Sequence, residues 1–522
     1  MNLPYPRQLR LSGAAHSGLA DRPLRENLLI GFAWLTSLLL ALGIAVAVPH
    51  PSFALVLATT LGALGIFVLV LGKRLEVKVT LVALYLGLLD GPVKLLTGGH
   101  ELASGVRDVL IVAVCLGPVL SLVVRRERVR LPPLSAWVLG YVALVLVEAF
   151  NPKTAGLLKS LAGFRQLLEW VPFFFLGYVL MRSKQRFRRF FLILGVVALA
   201  NGIVATYQTY LSPAQVASWG PGYHAKIYPA SGGGRAYSSG GEGRVRPLGL
   251  GSDSGFGGGV GLLALPGALA LLATSRGRRR WVGAVLSLGA LIAILTSLGR
   301  LQVVGAAIAV IAFAMLASIV GRRVSRPLAA VLGVIVLAVP LGAVFVSTLR
   351  SGTFSRYESI SPTNVASTST SYKQSSWQRI PHQLGIAPFG VGLGTVGPVG
   401  GFGGKATELV EGHGVSAETQ YNFLADELGA PGLILWAGLA LNVIALAIRR
   451  LRRVLNVELR IYLAAVVAPI IALVLMGFSG PLSTSAALGP FFWFAAGVAA
   501  YWFAGPGRAA SPATPATRSG LR

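Results

Sequence analysis

Long apolar runs recur along this chain from about residue 28 to about residue 503 of its 522 residues. A helix that crosses the hydrocarbon core of a bilayer needs about 20 mainly apolar residues, and we count about fourteen such runs. Only 12% of the residues are charged, which is about half the usual share of a soluble protein. The pattern predicts an all-α, polytopic helical membrane protein. It excludes a soluble enzyme held by a single anchor.

The predicted spans begin at fairly regular intervals. Their starts lie near Leu28, Phe53, Val77, Asp108, Leu134, Phe164, Phe190, Phe256, Trp281, Leu301, Pro327, Tyr421, Leu459 and Ala486. Asp90, Pro92 and Lys94 interrupt the far end of the third run. The twelfth run is broken at residues 429–432 (GAPG), so its first part is expected to be an interfacial or re-entrant helix.

Short basic clusters occur at every second connection between the runs, and both ends of the chain carry arginines on the same side. Because cytoplasmic loops are enriched in Lys and Arg, this side is expected to be cytoplasmic, with roughly 31 of the 46 basic residues. The chain is therefore expected to cross its membrane many times, with both termini on the cytoplasmic side.

Two outside connections are much longer than the others and divide the predicted architecture. Residues 1–27 form a cytoplasmic leader, and 28–211 a bundle of about seven spans. An extracytoplasmic loop (212–255) leads to about four spans in 256–348. A larger extracytoplasmic loop (349–420) precedes about three spans in 421–504, and 505–522 form a disordered cytoplasmic tail. Loops of this length usually carry function or are disordered.

Arginines near the outer surface are the first candidate functional residues. Arg300 lies in a very short turn between two apolar runs, and Arg244 and Arg246 lie where the first long loop returns to the membrane. A guanidinium is a fixed cation with five donors and suits phosphate or carboxylate. Arg165 opens the sixth run, although Glu169, one turn later, is a potential partner for it. The alternatives are an Arg300 that reaches to lipid headgroups and a solvated basic loop for the other two.

The second long loop and the run after it contain groups that could accept a proton. Glu411, His413 and Glu418 precede Tyr421, Asp426 and Glu427. A histidine or a buried carboxylate near the surface could remove a proton from a hydroxyl nucleophile. A lone histidine in a glycine-rich loop is also commonly structural.

Several types of chemistry have no support in the sequence. The six histidines show no zinc-like spacing, and Cys115 is the single cysteine, so no intrachain disulfide can form. There is no phosphate-binding P-loop and no GxSxG motif. Basic residues alternate with aromatic residues only at the membrane edges, which argues against nucleic acid as a partner. We therefore expect no metal and no cofactor.

Four segments, in order, resemble the O-antigen ligase and O-antigen polymerase superfamily of bacterial envelope proteins. They are residues 295–305 (LTSLGRLQVVG), 376–394 (SWQRIPHQLGIAPFGVGLG), 418–433 (ETQYNFLADELGAPGL) and 244–249 (RVRPLG) followed by 252–263. The resemblance covers roughly residues 160–450. No single motif is very specific. The resemblance rests on the order of the four segments around one long outside loop.

The resemblance implies glycan transfer on the outer face of the cytoplasmic membrane. The donor would be a glycan on undecaprenyl pyrophosphate, and the acceptor a glycan or lipid A-core. Arg300 and Arg246 would contact the pyrophosphate, and a loop histidine would act as the base. Export or chain-length proteins are further expected partners, besides membrane lipids.

This chain departs from the family pattern at two positions. Gly299 replaces the serine before the turn arginine, and Glu418 occupies the usual histidine position, with His413 five residues upstream. Either Glu418 or His413 could therefore be the base. The departure favours a polymerase of O-antigen or exopolysaccharide over a ligase, and a polytopic transporter or lipid-linked oligosaccharide flippase is the alternative from another class.

Overall fold

A computed structural model of the protein describes residues 75–98, 105–115, 131–154, 156–229, 236–239, 242–320, 357, 377–396, 419–482 and 485–505. The described part of the chain is mainly helical, as the apolar runs predict, and contains one two-stranded antiparallel hairpin.

The helices of the first half are α1 (Leu75–Leu84), α2 (Asp90–Leu96), α3 (Ser135–Glu148), α4 (Leu157–Leu168), α5 (Pro172–Leu180), α6 (Lys184–Thr209), α7 (Pro213–Ala217) and α8 (Pro221–Ile227). The hairpin consists of β1 (Ala236–Ser239) and β2 (Glu242–Val245), with Tyr237 opposite Arg244. The later helices are α9 (Phe256–Thr274), α10 (Arg279–Thr296), α11 (Arg300–Val320), α12 (Gln420–Arg450), α13 (Val457–Met476) and α14 (Leu488–Ala499). Residues 105–115 and 377–386 are also helical.

Seven stretches among the described residues are long and apolar enough to cross a membrane. They are Leu75–Leu96, Lys184–Thr209, Phe256–Thr274, Arg279–Thr296, Arg300–Ile319, Gln420–Arg453 and Val457–Met476. Two shorter apolar helices, Ser135–Glu148 and Leu488–Ala504, match the predicted runs near Leu134 and Ala486. The runs predicted near Leu28, Phe53 and Pro327 lie outside the described residues, so the count of fourteen stays a prediction.

Helices α9 and α13 form the centre of the bundle. In their most apolar windows, 83% and 78% of the residues are buried, against 33–44% for the other five candidate spans. Small residues allow this close packing: a Cβ on Gly261 of α9 would lie 2.6 Å from the carbonyl oxygen of Ala290 in α10. Such contacts are typical of membrane helices, which associate largely through backbone approach.

Some helices depart from regular geometry. A π-helical turn, Tyr85–Leu89, joins α1 to α2. The run predicted near Phe164 is split into α4 and α5, and α12 contains a non-helical Gly429 with φ 63° and ψ −158°. The break predicted at residues 429–432 is therefore present. Such irregular turns in membrane helices commonly lie at functional sites.

Helix α4 is amphipathic with its apolar face outward. Leu157, Leu158 and Leu161 are exposed, whereas Lys159 and Ser160 are buried against the protein. Ser160 donates its hydroxyl to the carbonyl oxygen of Ala149 at 2.6 Å. A surface helix of a soluble protein buries its apolar face and exposes its polar face. Helix α4 does the opposite, as expected of a helix that faces lipid.

Candidate functional site

The first long loop returns to the bundle through residues 246–255, which we call the return segment. Gln208, fully buried near the end of α6, accepts the backbone N–H groups of Leu248 and Gly249 at 2.8 Å each. Its amide nitrogen donates to the carbonyl oxygen of Gly249 at 3.3 Å. One side chain thus satisfies three backbone groups of a non-helical segment, which a buried segment requires.

A second buried amide fixes the next residue of the return segment. Asn201, also on α6, accepts the N–H of Leu250 at 3.0 Å and donates to the carbonyl oxygen of Gly87 at 3.0 Å. Gly91 of α2 lies so close to Leu250 that a Cβ there would overlap the Leu250 carbonyl oxygen. The return segment is therefore held between α6 and the irregular helix of residues 75–96.

Arg244 and Arg246 flank a buried valine at the start of this segment. Val245 packs with Leu95, Val216, Ala217, Tyr223, Ile227 and Leu248 in a small apolar cluster. Arg244 and Arg246, on either side of Val245 in sequence, are both half-buried. Burial within the cluster raises the pKa of the Tyr223 hydroxyl to about 12, so that hydroxyl stays neutral at physiological pH.

Arg300 begins α11 directly after a tight turn. Leu298 in that turn has φ 50°, and the Ser297 hydroxyl accepts the N–H of Gly299 at 3.3 Å. Arg300 itself is exposed. A Cβ on Gly255, where the return segment ends, would lie 2.7 Å from Nε2 of Gln302. The return segment therefore has Arg246 at one end and contacts the first turn of the Arg300 helix at the other.

The second long loop contacts the same turn. Tyr357, which lies in that loop, donates its hydroxyl to the carbonyl oxygen of Leu295 at 2.6 Å. Leu295 is at the end of α10, five residues before Arg300. Both long loops thus make contact at the α10–α11 connection.

Arg165 has a different environment from the one expected. Its guanidinium pairs with Asp108 through Nε–Oδ2 at 2.7 Å and Nη2–Oδ1 at 3.0 Å. Glu169, the partner that its spacing predicts, instead pairs with Arg107 at 2.6 Å. A tertiary contact from helix 105–115 replaces the expected pair within one helix. Arg165 is consequently held by a carboxylate in a bidentate arrangement.

These pairs belong to a larger charge network, which we define as Asp90, Lys94, Arg107, Asp108, Arg165 and Glu169. Lys94 pairs with Asp90 at 2.7 Å, and Arg107 lies 3.8 Å from the same carboxylate and over the ring of Trp170. The network contains three cations and three carboxylates. Sequence reasoning missed it as a site, although Asp90 and Lys94 stand out as charges within an apolar run.

The glycine-rich stretch of the second long loop also packs against the bundle. We call residues 388–396 the glycine turn; its Gly390, Gly392 and Gly394 have φ of 90°, 92° and 70°. Val391 donates its N–H to the carbonyl oxygen of Asp426 at 2.8 Å, and Ala430 donates to that of Pro388 at 2.8 Å. The turn thus lies directly on the break in α12.

Two buried carboxylates lie beneath the glycine turn. Glu427 is fully buried and Asp426 is 2% exposed. Glu427 accepts the N–H of Val396 at 3.3 Å. The two predicted bases, His413 and Glu418, lie outside the described residues, so their placement stays a prediction. Among the described residues no group of three or more His, Cys, Asp or Glu is arranged to hold a metal ion.

Neither protein-family models nor curated protein sequences match this chain. The likeness to the O-antigen ligase and polymerase superfamily therefore rests on the four segments alone.

Proposed function

We propose that the protein is an integral-membrane glycosyltransferase that transfers or polymerises glycans from an undecaprenyl-pyrophosphate-linked donor. The reaction would take place on the outer face of the bacterial cytoplasmic membrane. The product would be an O-antigen or an exopolysaccharide, and we favour a polymerase over an O-antigen ligase because Glu418 stands at the position of the family histidine.

The observation that supports this proposal best is the meeting of both long loops at the Arg300 turn. Tyr357 contacts Leu295 on one side, and the return segment contacts Gln302 on the other. A lipid-linked glycan has an anionic pyrophosphate between its apolar tail and its sugars. A cation beside two large loops at a bundle end suits such a molecule.

In the proposed reaction the acceptor hydroxyl attacks the anomeric carbon, the bond from this carbon to the pyrophosphate oxygen breaks, and undecaprenyl pyrophosphate leaves. Negative charge develops on the leaving oxygen. Arg300 and Arg246, with Arg244, would stabilise that charge as fixed donors, so that the reaction needs no metal or cofactor. Arg165 is left out of this group because Asp108 already holds its guanidinium.

The proton of the acceptor hydroxyl needs a base, and we propose His413 or Glu418. Parallel His413→Ala and Glu418→Gln variants would identify it, since the base variant should lose more turnover than the other. Equal and full activity in both variants would remove this part of the proposal.

The direct test uses purified protein, a lipid-linked oligosaccharide and gel analysis of the products. We expect a ladder of polymers from the wild type, and transfer to a lipid A-core acceptor if the protein is a ligase. Arg300→Ala should lower the rate about 10²–10³-fold, the usual effect of losing one preorganised donor. Arg279→Ala is the matched control, because Arg279 is also exposed but begins α10 at the opposite end from the turn. Normal polymer yield from Arg300→Ala would overturn the proposed mechanism.

A transporter or flippase is the second candidate, and the charge network supports it. Buried ionisable groups and interrupted helices are common at transporter substrate sites. The same preparation in liposomes distinguishes the two functions. A lipid-linked oligosaccharide that changes leaflet without any new glycosidic bond would favour transport.

A further inference from the structure

Glu427 combines three properties that are uncommon together in a membrane protein. Its side chain is fully buried, it is ionisable, and it contacts backbone from a distant part of the chain. Oε1 accepts the N–H of Val396, 31 residues earlier in sequence. Burying a carboxylate costs free energy unless it is hydrogen-bonded. The hydrogen bond to the turn offsets part of that cost.

The glycine turn is in close backbone contact with two helices. A Cβ on Gly394 would overlap the carbonyl oxygen of Lys159, and a Cβ on Gly163 would overlap the backbone nitrogen of Gly394. On the other side, a Cβ on Gly429 would overlap the carbonyl oxygen of Pro388. The turn is therefore enclosed between α4 and the break in α12, and its backbone N–H groups must find acceptors there.

The helix that precedes the turn is attached to the same region. Trp377 stacks on Phe478 with ring centroids 4.2 Å apart, and Phe478 contacts Tyr421 at 4.4 Å. Helix 377–386 and the glycine turn thus lie alongside the first part of α12, from Tyr421 to Ala430. The start of α12 and Phe478 thus lie on one side of residues 377–396, and α4 lies against the turn on the other side.

We propose that Glu427 is a positioning residue that fixes the glycine turn, and with it helix 377–386, to the break in α12. The carboxylate acts as the acceptor for the backbone N–H of Val396 at the end of the turn. In the proposed glycosyltransferase this would set the geometry of the second long loop. The attachment itself does not depend on that function, and its test needs no glycan.

The test measures access to a single cysteine in the turn. Cys115 is replaced by Ala, and Val396→Cys introduces a thiol at a position that is 1% exposed while keeping the backbone N–H. A water-soluble maleimide is applied to the full chain in detergent. We expect Glu427→Ala to raise the labelling rate at position 396 by about tenfold, as expected when a buried N–H loses its acceptor. Glu427→Gln keeps an acceptor oxygen and should stay close to the parent rate.

Asp426→Asn is the matched control. Asp426 is as buried as its neighbour, and its hydrogen bond to the turn uses its backbone carbonyl. Its carboxylate is attracted by Arg379 of helix 377–386, so Asp426→Asn shows whether loss of a buried charge alone, without loss of a contact to the turn, changes the labelling rate. A cysteine in place of Ala217, which is 7% exposed in the separate cluster around Val245, reports on general unfolding and should stay protected. A cysteine in place of the exposed Phe389 shows that the reagent reaches the region.

Two results would overturn the proposal. One is a labelling rate at position 396 that is as slow in Glu427→Ala as in the parent protein. The other is equal exposure of positions 396 and 217 in that variant, since the carboxylate would then support the whole bundle end rather than the turn. If Glu427→Ala does not fold, Glu427→Asp keeps the charge but shortens the side chain by one methylene, so it withdraws the carboxylate from the Val396 N–H and should give the same local labelling.

Discussion

The return segment and the glycine turn both need hydrogen-bond partners for buried, non-helical backbone, and different side chains supply them. Each is a glycine-rich, non-helical stretch that brings a long loop back to membrane helices. The return segment is held by the neutral amides Gln208 and Asn201, which use both their donor and acceptor atoms. The glycine turn is held by the carboxylate Glu427, whose Oε2 has no hydrogen-bond partner among the described residues. The amide side chains of Gln208 and Asn201 thus use both their oxygen and their nitrogen in hydrogen bonds, whereas the carboxylate of Glu427 uses only one of its two oxygens.

The comparison predicts that Gln208 is the stronger anchor. Gln208→Leu would leave three backbone groups of the return segment without their partner, at about 1–3 kcal/mol for each buried group. We expect this substitution to lower Tm, measured by thermal unfolding in detergent, by more than any single glycine substitution at the two segments. Gln208→Glu, which keeps the acceptor oxygen for Leu248 and Gly249, should recover part of the loss. A Tm unchanged in Gln208→Leu would show that the amide does not hold the segment.

Backbone approach can be compared between the two segments with matched glycine substitutions. A Cβ on Gly91 would overlap the return segment at Leu250, and one on Gly163 would overlap the glycine turn at Gly394. Overpacking of this kind typically costs about 1–3 kcal/mol. We expect Gly91→Ala and Gly163→Ala each to lower Tm, with Gly105→Ala as the control because a Cβ there meets nothing within 4 Å. If Gly163→Ala alone were neutral, the glycine turn would be the more yielding of the two.

The smallest expected effect comes from the surface of the return segment. Lys226 pairs with Asp253 at 2.8 Å, and both side chains are substantially exposed. Exposed ion pairs contribute about 0–1 kcal/mol, so Lys226→Ala should change Tm very little. A large fall would mean that this pair, rather than Gln208 and Asn201, determines the position of the segment.

The sequence predicted the helical class and most described spans because a bilayer imposes a strict length and polarity on each helix. The break at Gly429 was also predictable, since glycine and proline together interrupt a helix. Asp90, Pro92 and Lys94 interrupt the third apolar run in sequence, yet the helix continues through them to Leu96. Lys94 pairs with Asp90 one turn away, and the residue four before Pro92 lies in the π-helical turn. Local π adjustments of this kind let membrane helices tolerate proline.

The candidate site was predictable only as separate pieces. Arg246 and Arg300 could be picked out as arginines near apolar runs, but nothing in their sequence spacing shows that both long loops meet at the Arg300 turn. The partner of Arg165 could not be predicted either, because Asp108 is 57 residues away and on another helix. The role of Glu427 could not be predicted for the same reason, because its partner Val396 is 31 residues away.

The π-helical turn at Tyr85–Leu89 makes the length of this helix matter as much as its composition. Such a turn holds one residue more than a regular helical turn, and each residue corresponds to a rotation of about 100° around the axis. Deleting a single residue there would remove the extra residue and restore regular winding, with Asp90 and Lys94 still facing Arg107. A deletion in the regular turns of α1 has no extra residue to remove and would rotate α1 by about 100° relative to Asp90 and Lys94, so deletions in α1 and at Tyr85–Leu89 have unequal consequences for the protein.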